Sequence, residues 1–202
     1  MTAEEAFAAY PVSRETLERL EIYHTLLGKW TARINLVSKA SLADAWSRHF
    51  ADSAQLWPLA GSARTWTDLG SGAGFPGLVV AILGSPDLAV TLVESDQRKA
   101  AFLTNVAQAC GLTVSVRAER IEAIDLPRAQ ILSARALAPL DSLLAYAEKL
   151  RDPEGICLFP KGETVHNEIK EAARRWEFEY RVHPSRTDPK AAIVEIGAFA
   201  RV

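Results

Sequence analysis

The chain of 202 residues has the length of one domain of ordinary size, and 49% of its residues are apolar and 24% charged, so it can bury a sizeable core. No apolar run approaches the roughly 18 residues that indicate a membrane span. The net charge of -2 argues against binding nucleic acid through a general positive field, because such domains usually have a pI above about 9. A local basic face is still compatible with this charge.

The first residues, MTAEEAFAAYPVSRE, carry acids where a secretion signal would carry a basic segment followed by an apolar one. We therefore expect a cytoplasmic protein. The two cysteines, Cys110 and Cys157, lie far apart and lack the spacing of metal ligands, so buried, reduced thiols are expected. Neither a disulfide framework nor a metal site is predicted.

Residues 1–60 are predicted to form a helical N-terminal extension. From Ser13, apolar residues recur three, four or seven positions apart, the period of an amphipathic helix; they are Leu17, Leu20, Leu27, Trp30 and Ile34. A second helix is predicted from Ser41, because Ser41 and Asp44 match the capping-box pattern, and Pro58 is expected to end it.

Residues 61–202 change to a repeated alternation of strand and helix, which indicates an α/β core with a mainly parallel sheet covered on both faces. The predicted parallel strands are ARTWTDL, LAVTLVE, LTVSVR, AQILSA and GICLFP. The predicted helices begin at Pro76, run from Asp96 to Gly111, from about Pro139 to Leu150, and from about Glu163 to Trp176. The tail segments EFEYRVHP and AAIVEIG have no helical pattern between them, so an antiparallel hairpin at the sheet edge is predicted.

The stretch TDLGSGAGFPG follows the first predicted strand and fits two ligand-binding patterns. Gly72-x-Gly74-x-x-Gly77 matches the fingerprint of dinucleotide-binding proteins. Asp68-x-Gly70-x-Gly72-x-Gly74 matches the loop that holds S-adenosylmethionine (SAM) in class I methyltransferases. Both patterns require a strand before the loop and a helix after it, and both requirements are met here.

The position of the loop favours SAM. The glycine that directly follows the strand is Gly70, and a dinucleotide fingerprint counted from it would need its third glycine at Phe75. SAM also lacks the pyrophosphate that requires a helix N-terminus. The dinucleotide interpretation survives if the turn is displaced to Gly72, so it stays open at this point.

Further residues at predicted strand ends suit a bound nucleoside. Glu94 ends the second strand, where a carboxylate accepts hydrogen bonds from ribose hydroxyls, in SAM as in NAD. Ala118 and Glu119 follow the third strand, where an adenine edge would lie. Arg135 follows the fourth strand, and its guanidinium is interpreted as a contact for the SAM carboxylate or a substrate phosphate. The alternative for Arg135 is a surface arginine that caps a helix.

Six segments together carry a resemblance to a known family. RINLVS, SRHFADSAQLWPL, DLGSGAGFPGLVVAI, LVESDQRKAAFL, ARALAPL and FPKGE occur in this order. Between about Ile34 and Glu163 the chain therefore resembles the RsmG (GidB) family, whose members methylate guanine N7 in bacterial small-subunit ribosomal RNA. The resemblance implies a class I SAM-dependent methyltransferase core over residues 61–202, which is Rossmann-like. It also implies SAM as cofactor and small-subunit rRNA or the small ribosomal subunit as partner.

The resemblance also implies site residues. It places SAM on Gly70, Phe75, Glu94, Ala118, Glu119 and Arg135, and the glycine pattern adds Gly72 and Gly74. In two places the chain departs from the family pattern. Glu94 is one methylene longer than the family's aspartate, and Pro160 precedes Lys161 where the family usually has another residue, which bears on the end of that strand.

Guanine N7 already exposes an in-plane lone pair, so its methylation requires no proton removal. No catalytic residue is predicted, because alignment of the reactants supplies the main effect. Arg48, His49 and Lys161 are predicted substrate contacts. For Arg48 and His49 an equally supported alternative is a local network with Asp52 and Ser53, which lie at helical spacing.

Two other function classes are considered. An NAD(P)-dependent oxidoreductase would be expected to carry a Tyr-x-x-x-Lys pair, or a His paired with an acid, near the cleft. Neither is evident in the sequence, and Tyr146 has Leu150 four positions on. A non-catalytic ribosome assembly factor on the same fold is also possible, although the intact glycine loop and Glu94 argue against loss of cofactor binding. A monomer is expected.

Overall fold

The computed structural model describes residues 1–202. Its strands are β1 (Thr65–Leu69), β2 (Ala89–Val93), β3 (Val114–Arg117), β4 (Ala129–Ala134), β5 (Arg151–Lys161), β6 (Trp176–Pro184) and β7 (Ala192–Arg201). They form one seven-stranded sheet in the order β3-β2-β1-β4-β5-β7-β6. β1 to β5 pair in parallel, whereas β7 is antiparallel to both β5 and β6. The predicted α/β class with an antiparallel pair at the sheet edge is confirmed.

The helices enclose a core on each face of the sheet. They are α1 (Ala3–Phe7), α2 (Arg14–Thr31), α3 (Lys39–Ala43), α4 (Asp52–Ala54), α5 (Gly77–Gly84), α6 (Gln97–Ala109), α7 (Leu140–Leu150) and α8 (Val165–Ala172). Successive strand residues face opposite sides, so Leu92 packs with α2, α5 and α6, and Val93 packs with α7 and α8. None of the helices is long and apolar enough to cross a membrane.

Helix α2 matches the amphipathic pattern from which it was predicted, except that it ends at Thr31 and the last patterned residue, Ile34, lies beyond it. The hydroxyl of Ser13 caps it by accepting a hydrogen bond from the backbone N–H of Thr16. Leu20, Tyr23 and Leu27 are fully buried on one face, and that face packs against α5 and α6. Tyr23 is therefore a core residue that the pattern of apolar positions did not include.

The second helix, predicted to run from Ser41 until Pro58 ends it, is not one continuous element. Ser38, and not Ser41, caps α3, because its hydroxyl accepts a hydrogen bond from the Ser41 backbone N–H at 3.1 Å. The chain then passes through a π-helical segment at Trp46–Ala51, through α4, and through a 3₁₀ turn at Trp57–Ala60. Single π turns of this kind often occur at functional sites, and this one carries Arg48 and His49.

The C-terminal third differs from prediction in two respects. Helix α8 ends at Ala172, and Trp176 begins β6 instead of ending a helix. β7 lies between β5 and β6, so the first strand of the hairpin forms the sheet edge.

Pro160 does not disturb its strand end, since it pairs with Ile193 and Lys161 pairs with Ala192 in an unbroken register. Both cysteines are buried and free, as predicted.

Candidate cofactor and substrate site

The glycine loop leaves β1 and turns sharply at the carboxyl edge of the sheet. Gly70, Gly72 and Gly74 have φ values of 63°, 56° and 93°, a region that side chains rarely adopt. The backbone N–H of Ser71 donates to the Val93 carbonyl at 3.0 Å, and that of Gly74 donates to the Ser71 carbonyl at 2.6 Å. These bonds fix the loop across the ends of β1 and β2.

Glu94 joins this loop to the start of α6. Its Oε2 accepts a hydrogen bond from the Gly72 backbone N–H at 2.8 Å, and its Oε1 accepts one from the Asp96 backbone N–H at 2.7 Å. The side chain is largely buried and lines a cleft beside the loop. Each carboxylate oxygen has a second lone pair, so the group can accept two more hydrogen bonds while its orientation is held by the backbone.

The cleft beside Glu94 has a volume of about 360 Å³. Four of the predicted cofactor residues line it: Gly70, Gly72, Glu94 and Glu119. Ile121 and Leu137 add apolar walls, and Tyr146 closes one side by donating a hydrogen bond to Glu122 at 2.7 Å. The cleft thus combines an acceptor for ribose hydroxyls, loop backbone and apolar surface, which are the groups that a nucleoside cofactor requires.

A buried carboxylate lies beneath the loop, at the start of α5. Asp68 is fully buried, and its Oδ1 accepts a hydrogen bond from the Ser133 hydroxyl at 2.6 Å. The Gly77 backbone N–H, at the N-terminus of α5, also stabilises its charged form. This carboxylate already sets a negative charge against the N-terminus of α5, the end of the helix that a dinucleotide fingerprint uses for a pyrophosphate. The geometry therefore favours SAM over a dinucleotide in this cleft.

Four predicted cofactor residues lie outside the walls of the cleft, namely Gly74, Phe75, Ala118 and Arg135, and the last of them lines a second cavity instead. Phe75 is buried, and its ring stacks on Tyr23 at 5.2 Å and on His49 at 5.0 Å between ring centroids. Its side chain is therefore a packing group beneath the loop, because core rings surround it. A Cβ at Gly74 would lie 2.6 Å from the Tyr23 hydroxyl and 2.5 Å from Leu78 Cδ1, so this glycine is needed for packing.

A second cavity of about 590 Å³ adjoins the cleft. Ala136 and Leu137 line both spaces and form the ridge between them. Ala136 adopts a φ of 53°, and Leu137 lies so close to Gly70 that a Cβ there would approach its Cδ1 to 2.6 Å. The walls of the second cavity mix polar and apolar groups and include Asp52, Gln55, Arg135, Pro160, Lys161, Glu168 and Ile193.

Arg135 lines the second cavity and joins the helical extension to the sheet. Its Nη1 lies 3.2 Å from Asp52 Oδ2 and donates to the Arg48 carbonyl at 3.3 Å. The guanidinium also lies 5.1 Å from the centre of the Phe75 ring. The alternative predicted from helical spacing, a local pair between Arg48 and Asp52, is therefore wrong. The side chain of Asp52 bonds to Arg135, Gln55 and Thr187 instead.

His49 is held as a neutral ring. Burial and the adjacent positive charges of Arg135 and Arg48 lower its pKa from 6.5 to about 4. An Arg135 Nη2 lies 3.2 Å from its Nδ1, and its ring stacks on Phe75. His49 consequently offers no positive charge to RNA at neutral pH.

The Arg48 guanidinium, in contrast, takes part in none of the ion pairs of the structure, so it is free to contact a phosphate.

Lys161 is more constrained than a surface phosphate contact would be. Its side chain is 9% exposed, and its ammonium donates to Glu168 Oε2 at 2.7 Å and to the Ala138 carbonyl at 2.8 Å. These bonds tie the end of β5 to the segment that follows β4. One of its three N–H donors remains for a ligand in the second cavity.

Asp68 and His49, which lie beneath the site, have shifted pKa values, and the two shifts predict opposite pH dependences of stability. Burial raises the pKa of Asp68 from 3.8 to about 6, so its contribution is fully present below pH 3.8 and is lost as the pH rises through 6. The pKa of His49 falls from 6.5 to about 4, so its contribution is present above pH 6.5 and is lost as the pH falls through 4. Between pH 4 and 6 the two contributions oppose each other.

Asp68→Asn removes one of these two contributions. Relative to the unsubstituted protein, we expect the free energy of unfolding of the variant to rise with pH by up to about 1.4 kcal/mol per pH unit, within the window between 3.8 and about 6. Urea unfolding at several pH values measures this difference. Asn105→Gln, at an exposed position without a titratable side chain, is the control for the measurement. A difference that stays flat with pH for Asp68→Asn would contradict the prediction.

The arrangement of strands and site defines a class of protein. A parallel sheet completed by an antiparallel β7, with a glycine loop after β1 and a carboxylate after β2, is the class I methyltransferase fold. Solved structures share it. An O-methyltransferase from Bacillus cereus, solved in complex with SAH, aligns at a TM-score of 0.61 with 15% identity and 98% of each chain covered. A ribosomal protein L11 methylase from Lactobacillus delbrueckii aligns at 0.60 with 14% identity, covering 73% of this chain and 76% of that one.

Sequence comparison identifies the family. The model of the GidB family, described as rRNA small subunit methyltransferase G, matches residues 16–192. A ribosomal RNA small subunit methyltransferase G from Rhodospirillum centenum is 52% identical over 96% of this chain and 89% of its own length. The protein of the same name from Gluconobacter oxydans is 50% identical, over 95% and 98%. The chain belongs to the rRNA small subunit methyltransferase G (GidB) family, as the resemblance predicted.

Proposed function

We propose that the protein transfers a methyl group from SAM to N7 of one guanine in small-subunit ribosomal RNA. The observation that carries this proposal is the pair of adjoining cavities at the carboxyl edge of the sheet, which Ala136 and Leu137 separate. One cavity has the groups that a nucleoside cofactor requires, and the other is large enough for a purine base. Ligands of open α/β sheets bind at this edge.

The residues of the first cleft fit SAM. Glu94, already oriented by two backbone N–H groups, would accept hydrogen bonds from the ribose hydroxyls, and the glycine loop would face the amino acid portion. Glu119, which lines this cleft, is proposed to lie beside the adenine edge, and Ala118 precedes it outside the cleft wall. When bound, SAM supplies an activated methyl group on a positively charged sulfur, and Glu94 and Glu119 add negative charge to the same cleft.

The second cavity supports a guanine acceptor. Asp52 and Glu168 supply carboxylate acceptors, while Arg135 and Lys161 supply donors, so both edges of a guanine ring can find partners. Transfer to N7 needs no proton removal, because its lone pair lies in the ring plane and is free in the base. The protein therefore has to hold the base at the Ala136–Leu137 ridge, and such alignment accounts for a large share of the barrier.

The RNA partner and the cellular setting complete the proposal. Residues 1–60 are proposed as the helical extension that docks the RNA beside the methyltransferase core of residues 61–202. Arg48 is the favoured phosphate contact, because its guanidinium is free of ion pairs. Lys161 has one donor left. The predicted substrate contact of His49 is replaced by a supporting role, because its Nε2 is buried, its Nδ1 faces Arg135 and its ring stacks on Phe75. We propose a cytoplasmic monomer that acts on the small ribosomal subunit.

The direct experiment is transfer of a labelled methyl group from SAM to unmethylated small subunits and, separately, to their extracted rRNA. Mass-spectrometric mapping should place the label on N7 of a single guanine. Label on another atom or base would overturn the guanine N7 assignment, and SAM binding without transfer to either RNA would favour a non-catalytic assembly factor. Absence of SAM binding would reopen the dinucleotide interpretation.

A further inference from the structure

A tyrosine from the helical extension reaches under the glycine loop. Tyr23 lies in the middle of α2 and is fully buried. Its hydroxyl donates a hydrogen bond of 2.6 Å to the carbonyl of Ala73, which lies between Gly72 and Gly74. The bond joins groups 50 positions apart in the sequence, so it depends on how α2 packs against the core.

The ring of Tyr23 is held as firmly as its hydroxyl. It stacks on Phe75 with 5.2 Å between centroids and 23° between planes, and it meets the Phe50 ring edge-on at 4.9 Å. Burial raises the pKa of the Tyr23 phenol well above its ordinary value, so the hydroxyl stays protonated and remains a donor at neutral pH. The Ala73 carbonyl thus has a permanent and well-oriented partner.

The contact completes the anchoring of two successive residues in the loop. The Gly72 N–H is bound to Glu94 on the side of the cleft, and the Ala73 carbonyl is bound to Tyr23 on the side of the core. Ala73 is 8% exposed, so its carbonyl would be poorly hydrated without the tyrosine. Release of this carbonyl would let the peptide between Ala73 and Gly74 rotate, and the Gly72 backbone on the cleft wall would move with it.

We propose that Tyr23 is a positioning residue for the cofactor: its hydroxyl fixes the glycine loop through the Ala73 carbonyl and thereby sets the affinity for SAM. Tyr23 does not line the cleft, so it acts only through the loop. The inference rests on the proposed function in that SAM is taken as the ligand of this cleft.

Tyr23→Phe is the sharpest test, because it removes the hydroxyl and keeps the ring that packs on Phe75. We expect KM and Kd for SAM to rise about tenfold, while kcat at saturating SAM and KM for the small subunit stay within about twofold. Tyr180→Phe, on an exposed tyrosine of β6, is the matched control and should change none of these values.

Amide hydrogen exchange adds a readout that does not depend on activity. In Tyr23→Phe the Gly72 and Gly74 amides should exchange at least several-fold faster, while the Gly111 amide, at the end of α6, should keep its rate. Unchanged exchange together with unchanged SAM affinity would overturn the inference. If the unsubstituted protein itself does not bind SAM, the proposed function fails. If both proteins bind SAM with the same affinity, only the positioning role of Tyr23 is refuted.

Discussion

Gly72→Val is expected to weaken SAM binding by at least about 100-fold, or roughly 2.7 kcal/mol, while the protein still folds. A Cβ at this position would lie 4.0 Å from Glu94 Oε2 and 3.7 Å from the Gly70 carbonyl. The protein therefore has room for the side chain, but the side chain would occupy the cleft wall where the ribose is proposed to bind. Calorimetric titration with SAM measures the loss directly.

Backbone strain is a second effect of the same substitution, and it needs its own control. Gly72 has a φ of 56°, and a residue with a side chain costs about 1–2 kcal/mol in this region. Gly111 provides the match, because its φ is 61° and a Cβ added there would have no other group within 4 Å. Gly111→Val should lower the melting temperature by a similar amount and leave SAM affinity unchanged. Equal SAM affinity in the two variants would refute the assignment of the loop.

The elements and strand-end placements that sequence analysis predicted correctly are those that local pattern determines. The alternation of strand and helix follows from hydrophobic period. The glycine loop and Glu94 lie at the ends of adjacent parallel strands, which meet at one edge of the sheet. Their proximity therefore follows from the fold class alone. The structure shows it as a hydrogen bond of 2.8 Å from the Gly72 N–H to Glu94 Oε2.

Contacts between distant segments were not predictable in the same way. Arg135 and Asp52 are 83 positions apart, and spacing along the chain gives no information about which loops meet. For Asp52 the helical spacing suggested Arg48, but the π-helical segment changes the period on which that pairing depended. The contact of Tyr23 had one weak indication in the sequence. Tyr23 lies on the buried face of α2, where a tyrosine hydroxyl requires a hydrogen-bond partner.

The structure also alters what is expected of Arg135. From the sequence alone, Arg135→Ala should impair methylation with little effect on melting temperature. In the structure the guanidinium holds Asp52 and the Arg48 carbonyl together beside the Phe75 ring. Asp52 keeps Gln55 and Thr187 as partners when the arginine is removed, so the damage is limited to the connection between β4 and the helical extension.

We therefore expect Arg135→Ala to lower the free energy of unfolding by about 2 kcal/mol and the melting temperature by roughly 4–8 °C. Methyl transfer should fall because the extension and the second cavity lose their common support, whereas Kd for SAM should stay within about threefold. Arg128→Ala is the control, since this exposed arginine precedes the same strand, β4, and its guanidinium makes a single bond at 3.4 Å. It should leave both stability and activity nearly unchanged.

A double-mutant cycle locates the source of the Arg135 effect. If the ion pair with Asp52 at 3.2 Å carries it, Arg135→Ala and Asp52→Asn should be non-additive, with a coupling of about 1 kcal/mol or more in urea unfolding. Additive losses would mean that the Arg48 carbonyl and the Phe75 ring are the contacts that matter. An unchanged melting temperature combined with weakened SAM binding would instead make Arg135 a direct ligand of the cofactor, as the family resemblance implies, and would remove its role as the joint between extension and core.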